Sequence, residues 1–310
     1  MVSGVPMSAL VASVPDPRLV IVALHGGAVT SAYYDYPEHP RLSMLRAGAA
    51  LGYTVIALDR PGYGASAAHD GPALGTVSRR VDLIFGAIES LLAGRPRGAG
   101  VFLVAHSMGC ILGVQSAASA AGASLLGLEI AGTGLAPHPE ADFMTPLTRS
   151  DGPRPGYAGR PRRATLQSAM WAPPELYPPG ALEAVTFVHS PHYEGPDIRG
   201  WISAFPSLAG SVSVPVHYTL GDHERVWDPS APAMASVASL FTASPRVSVL
   251  LQPEAAHNLS RCRCAAAYHL KVFSFAEECA LAREASGATL PQLTSGVPES
   301  PSLPTPPPGG

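Results

Sequence analysis

The chain has 310 residues, of which 46% are hydrophobic and only 14% charged, with a formal net charge of −3. That balance excludes a disordered chain, which combines low hydrophobicity with high charge, and it offers a nucleic-acid backbone no basic footprint. No run of about 18 consecutive apolar residues occurs, so no membrane span is expected.

Lys271 is the one lysine against 19 arginines, and Gly and Pro number 31 and 33, a composition that reads as the product of a GC-rich bacterial genome. Cys110, Cys262, Cys264 and Cys279 form no regular disulfide framework, so a reduced chain is expected. The first 14 residues lack a basic stretch and are broken by Pro6, which argues against a secretory signal and for a cytoplasmic protein.

In chain order, residues 18–24 and 53–58 are apolar, β-branched runs ending at His25-Gly26-Gly27 and at Asp59. Between residues 76 and 92, Val77, Val81, Ile84, Phe85, Ile88 and Leu91 recur at three- and four-residue spacing, which predicts an amphipathic helix. Residues 101–105 predict a strand ending at His106-Ser107. A small, apolar helix is expected over 107–121 and a strand over 125–131. After a long interruption come strands at 214–220 and 247–251, with helices at 231–241 and 264–284. Continuous rather than alternating apolar runs mean strands buried on both faces. Their alternation with helices predicts a doubly wound α/β architecture with a mostly parallel sheet.

The interruption, residues 135–210, is dense in proline and carries Tyr157, Trp171, Tyr177, Tyr193 and Trp201; a lid of short helices over a pocket is expected there. The domain reading is therefore residues 1–134 and 211–287 as the two parts of one core and 135–210 as its lid. Residues 288–310, which end in Pro-Thr-Pro-Pro-Pro-Gly-Gly, are expected to be a disordered tail.

Chemistry concentrates at the ends of the predicted strands. Ala105-His106-Ser107-Met108-Gly109 places a serine between a buried strand and a helix, with small residues two positions to either side. A nucleophile elbow requires this arrangement, because the serine occupies a tight strand-to-helix turn. On these residues the chain resembles the α/β-hydrolase superfamily of the serine type, with Ala105 where the family usually has glycine. The resemblance covers residues 19–284 apart from the lid. It implies Ser107 as nucleophile and the backbone N–H groups of Gly27 and Met108 as the oxyanion hole. It further implies a histidine after the last strand, which is His257, and an acid after the strand before it.

In the loop Gly221-Asp222-His223-Glu224 the family's spacing selects Glu224, with Asp222 the next choice and Asp228 third. The order serine, acid, histidine along the chain is that of the same superfamily. The segment Asp59-Arg60-Pro61-Gly62-Tyr63-Gly64-Ala65-Ser66 reads as a tight turn, mainly structural.

Cys262-Arg263-Cys264 with His257 and His269 fits no common zinc spacing. His189 and His192, beside Tyr193 and Glu194, read as a substrate-facing or solvated part of the lid. No Gly-x-Gly-x-x-Gly follows a strand, so no metal, nucleotide or other cofactor is expected.

The resemblance implies an enzyme that attacks an ester, lactone or thioester of a small to medium hydrophobic molecule through an acyl-enzyme. The fold also hosts acyl transfer and elimination, which would suit the tailoring of a bacterial natural product. A catalytically silent ligand-binding protein is the alternative of another class. The expected partner is a small-molecule substrate, with neither nucleic acid nor membrane, and the sequence leaves the oligomeric state open.

Overall fold

Val20–Leu24 is aliphatic without a break and buried throughout. Its alternate side chains go to opposite faces of a sheet: Val20, Val22 and Leu24 join one apolar cluster, and Leu19, Ile21 and Ala23 join another. The computed structural model describes residues 1–69, 71, 74–139, 141 and 169–287.

Among them the strands are β1 (Ala9–Ala12), β2 (Val20–Leu24), β3 (Thr54–Leu58), β4 (Val101–His106), β5 (Gly127–Ala131), β6 (Val216–Gly221) and β7 (Val247–Gln252). They form one sheet in the order β1-β3-β2-β4-β5-β6-β7. Every pairing is parallel except that of β1, which runs antiparallel along β3 with Ala9 opposite Leu58.

Among the described residues six helices of seven residues or more cover the sheet: α1 (Met44–Ala50), α2 (Val77–Leu92), α3 (Met108–Ala118), α4 (Glu194–Gly210), α5 (Ala231–Ala238) and α6 (Ala265–Ala285). The buried stripe of α2 and the nearly all-apolar α3 pack on one face, and α1 and α6 on the other. Polar caps start three of them. Ser43, Thr76 and Ser230 each accept a hydrogen bond from the backbone N–H three residues on, as an N-cap does.

The expected doubly wound, mostly parallel architecture is the one observed. Outside the interruption, β1 and α1 are the strand and helix that the sequence pattern does not predict. Of the expected lid, residues 140 and 142–168 lie outside the described residues, as do the tail residues 288–310. Within the described part, Pro174–Leu176 is a single 3₁₀ turn and α4 is a helix of 17 residues. Trp201, Phe205 and Ala209 of α4 are buried in the same cluster as α3, and Trp201 stacks on Phe205 with ring centroids 4.2 Å apart. No helix among the described residues is long and apolar enough to cross a membrane.

Candidate active site

Ser107 separates β4 from α3 and has φ 52° and ψ −122°, a conformation in which an L-residue is strained. Close packing on both sides enforces it. A Cβ added to Gly109 would lie 2.6 Å from the carbonyl oxygens of Leu24 and His25, so only glycine lets the start of α3 come this near to β2. Ala105 stands where the family usually has glycine, and the helix compensates: a Cβ on Gly113 would sit 2.6 Å from the Ala105 methyl. The crowded position thus carries one methyl group shared between strand and helix.

His257 lies in the loop between β7 and α6, almost fully buried. Its Nε2 is 3.0 Å from Ser107 Oγ, and its Nδ1 is 3.0 and 2.9 Å from the two carboxylate oxygens of Glu224. A carboxylate only accepts, so Nδ1 carries the proton and Nε2 presents a lone pair to the serine hydroxyl. Glu224 is buried and also accepts the backbone N–H of Val226 at 2.7 Å.

Asp222 is directed elsewhere. It accepts the N–H groups of Glu254 and Ala255, both at 3.1 Å, and so ties the loop that carries His257. Asp228 accepts the N–H of Ser230 at the start of α5. The structure therefore brings Ser107, His257 and Glu224 together and leaves Asp222 and Asp228 apart from them.

His106 supports the same loop from beneath. Its Nε2 donates to the His257 carbonyl at 2.9 Å, and its ring stacks on Tyr33 with centroids 4.7 Å apart. Burial, followed by the nearby His257, pushes its pKa down to about 3, so it is a neutral donor.

On the opposite wall lies His25-Gly26-Gly27. The backbone N–H of Arg60 donates to His25 Nε2 at 3.1 Å, which leaves the proton on Nδ1, and Nδ1 donates to the Gly26 carbonyl at 2.8 Å. Burial and the adjacent Arg60 hold the His25 pKa well below its ordinary value, in keeping with this neutral tautomer. A Cβ on Gly26 would press on His106 and on Ser107 Cβ, at 3.0 and 3.3 Å. Met108 is the first residue of α3, and its Cγ lies 3.0 Å from where a Gly27 Cβ would be.

A buried pair in the site carries no signal in the sequence pattern. Arg60 of the tight turn donates to Glu194 Oε1 at 2.5 Å, with both side chains almost inaccessible. Tyr63 donates to the same oxygen at 2.8 Å. The helical spacing of Ile198, Trp201, Ile202, Phe205 and Ala209 would have flagged α4, but nothing local marks Glu194 as a partner of Arg60.

The remaining candidates separate. His269 is fully buried on α6 and pairs with Ser260 Oγ at 2.9 Å, and Cys262 Sγ accepts the N–H of Ala256. The His189 and His192 rings lie edge to face, with centroids 6.4 Å apart. Among the described residues no group of three His, Cys, Asp or Glu is placed to hold a metal ion.

A serine on a strand-to-helix elbow of a mostly parallel sheet, with histidine and acid loops at the ends of later strands, defines a hydrolase-type α/β protein. The family model for the alpha/beta hydrolase family matches residues 21–273, and the chain belongs to that family. Among solved structures it resembles a lipase in an open form, at 19% identity over 88% of this chain and 94% of that one, with a TM-score of 0.61. A monoacylglycerol lipase from Paleococcus ferrophilus is similar at 19% identity, covering 88% of this chain and 99% of the other, with a TM-score of 0.57. The thioesterase domain from the curacin biosynthetic pathway matches at 18% identity over 86% and 94% of the two chains, with a TM-score of 0.53. At these identities the likeness is one of fold. Among curated proteins no sequence match was found.

Proposed function

We propose that the protein is a serine hydrolase acting on carboxylic esters, lactones or thioesters of small to medium hydrophobic molecules. The observation that carries this reading is the continuous hydrogen-bonded line from Ser107 Oγ through His257 to the buried Glu224 carboxylate. In that line Ser107 Oγ attacks the carbonyl carbon while His257 Nε2 takes its proton. Glu224 holds the tautomer and stabilises the imidazolium.

The N–H groups of Gly27 and Met108 receive the negative charge that develops on the carbonyl oxygen. The start of α3 adds its favourable dipole. Collapse of the tetrahedral intermediate expels an alcohol or thiol, which leaves with the proton from His257, and water then repeats the sequence on the acyl-enzyme. An alcohol or amine acceptor in place of water would make the same residues an acyltransferase. A hydrophobic substrate is supported by the aromatic cluster of Tyr36, Trp171 and Tyr177, which packs on Ala256 next to His257. Asn258, on the other side of His257, donates to the Met170 carbonyl at 2.9 Å.

The test is a panel of p-nitrophenyl esters, a lactone and an acyl thioester, with labelling by a fluorophosphonate probe. Ser107→Ala should lose label and turnover by several orders of magnitude while its melting curve stays near wild type. Adding His257→Ala should cost little more, since the residues act as a unit. Undiminished turnover in Ser107→Ala would rule out the serine nucleophile and favour elimination, whereas a wild type with neither turnover nor label would favour ligand binding. Free acid as the product distinguishes hydrolysis from transfer.

A further inference from the structure

Three backbone groups of the Gly26–Ala28 stretch are in play, and two of them are tied down. The Gly26 carbonyl accepts His25 Nδ1 at 2.8 Å and an Arg60 guanidinium nitrogen at 2.8 Å. The Ala28 N–H donates to the Tyr63 hydroxyl at 3.0 Å, and the Tyr63 hydroxyl in turn donates a hydrogen bond to Glu194 Oε1. Ala28 is held at φ 57°, in the left-handed region that an alanine avoids. The group between them, the Gly27 N–H, meets no protein acceptor among the described residues. A trans peptide is planar and its C=O and N–H point in opposite directions. Fixing the Gly26 oxygen on Arg60 therefore turns the Gly27 N–H to the other side.

We propose that Arg60, set in place by Glu194, is a positioning residue: it anchors the Gly26 carbonyl so that the Gly27 N–H stands ready to receive the oxyanion. This rests on the serine-hydrolase reading above. Burial works against the guanidinium charge, but Glu194 outweighs it, so Arg60 remains a charged donor. A charge-assisted bond to the Gly26 oxygen also polarises that peptide and strengthens its N–H as a donor. Burial pushes Tyr63 up to about 12, which keeps it a neutral phenol able to donate to Glu194 and accept from Ala28.

Glu194 is the first residue of α4, and that end of the helix is fastened by two further contacts, one to the 60–63 turn and one to α2. Tyr193 donates to the Pro61 carbonyl at 2.6 Å, and Arg80 holds Asp197 through both carboxylate oxygens at 3.0 and 2.8 Å. The docking of α4 thereby sets an oxyanion donor that it does not itself contain.

The test compares the wild type with Arg60→Lys, Glu194→Gln and the double variant Arg60→Met/Glu194→Gln, which removes both charges together. The readouts are kcat and KM on p-nitrophenyl butyrate and inhibition by butylboronic acid, whose tetrahedral adduct needs the oxyanion donors. The double variant should lower kcat and weaken boronate inhibition by about 10- to 100-fold, less than the loss of a whole donor, with KM within about threefold. Arg60→Lys, which keeps the charge but not the fork, should fall between the two.

Wild-type kcat and boronate affinity in a folded double variant would overturn the inference, as would a raised KM with kcat unchanged. Should the double variant fail to fold, Glu194→Gln decides: a several-fold fall in kcat and boronate affinity supports the role, and unchanged values refute it. Ser107→Ala run alongside separates the two layers. Its inactivity, combined with full activity in the Arg60 variants, removes only the positioning role, whereas activity in Ser107→Ala removes both.

Discussion

Exchanging Glu224 for glutamine keeps the shape of the side chain and alters two things at His257. The carboxylate meets two donors, His257 Nδ1–H at 3.0 and 2.9 Å and the Val226 N–H at 2.7 Å. If the amide oxygen of glutamine stays with Val226, its NH2 group faces Nδ1–H at about the 2.9 Å separation, donor against donor. The conflict is relieved by moving the imidazole proton to Nε2, which takes from Ser107 the lone pair that should accept its proton.

The buried negative charge that, on the proposed mechanism, stabilises the imidazolium is lost as well. A fall in kcat of about 10²- to 10⁴-fold is expected, equivalent to roughly 2.7–5.4 kcal/mol on the barrier. Asp222→Asn provides the contrast. One of its two backbone contacts loses an acceptor at the surface, where water can replace it, so about 1 kcal/mol of stability and less than about a threefold change in kcat are expected. Initial rates on p-nitrophenyl butyrate, the rate of fluorophosphonate labelling and urea midpoints measure all three quantities. Glu224→Gln within tenfold of wild type, or Asp222→Asn as the inactive variant, would refute the assignment.

Gly109→Ala should lower the melting temperature, because its methyl would meet two backbone oxygens at 2.6 Å and α3 would have to retreat, at a cost of about 1–3 kcal/mol. An unchanged melting curve would mean that the start of α3 is not held by this contact. His217 lies against Glu129, which also accepts the Tyr268 hydroxyl. Burial pushes its pKa down, but the Glu129 charge and hydrogen bond outweigh it and leave the value raised. A raised folded-state pKa stabilises fully below the unfolded value of about 6.5 and is lost as pH climbs through the folded value. The urea-stability gap between wild type and His217→Gln should accordingly be widest near pH 5.5 and narrow by pH 8.5, and a gap that widens with pH would contradict this.

Much of this architecture is legible in residue patterns. Parallel strands buried on both faces announce themselves as unbroken apolar runs, as in Val20–Leu24 and Val101–Leu103, and the small residues around Ser107 mark the elbow. Glu224 and Asp222 differ only in reach, which the spacing after Gly221 already expresses. β1 was hidden because Ala9–Ala12 is an edge strand of four residues with Leu10 and Val11 partly exposed, so neither alternation nor length singles it out.

Helix α4 was masked by Gly195, Pro196, Gly200 and Pro206. Pro196 falls in the first turn, where no N–H is needed, and Pro206 costs an interior bond that the burial of Trp201 and Phe205 offsets. Glu194 meets Arg60 across 134 positions, a separation at which local pattern carries no information.

The distance along the chain between Ser107 and His257, 150 positions, bears on how the protein comes to life during folding. Ser107 follows β4, near the centre of the sheet, whereas Glu224 and His257 follow β6 and β7, which extend the sheet to its far edge. A chain emerging in order from the amino end can assemble β1 to β5 around the serine and still lack both His257 and Glu224. Contacts that distant close slowly because of the loop entropy they must overcome. On the proposed serine-hydrolase mechanism, recovery of turnover on refolding should therefore trail the return of helical signal, making it a report on completion of the far edge of the sheet.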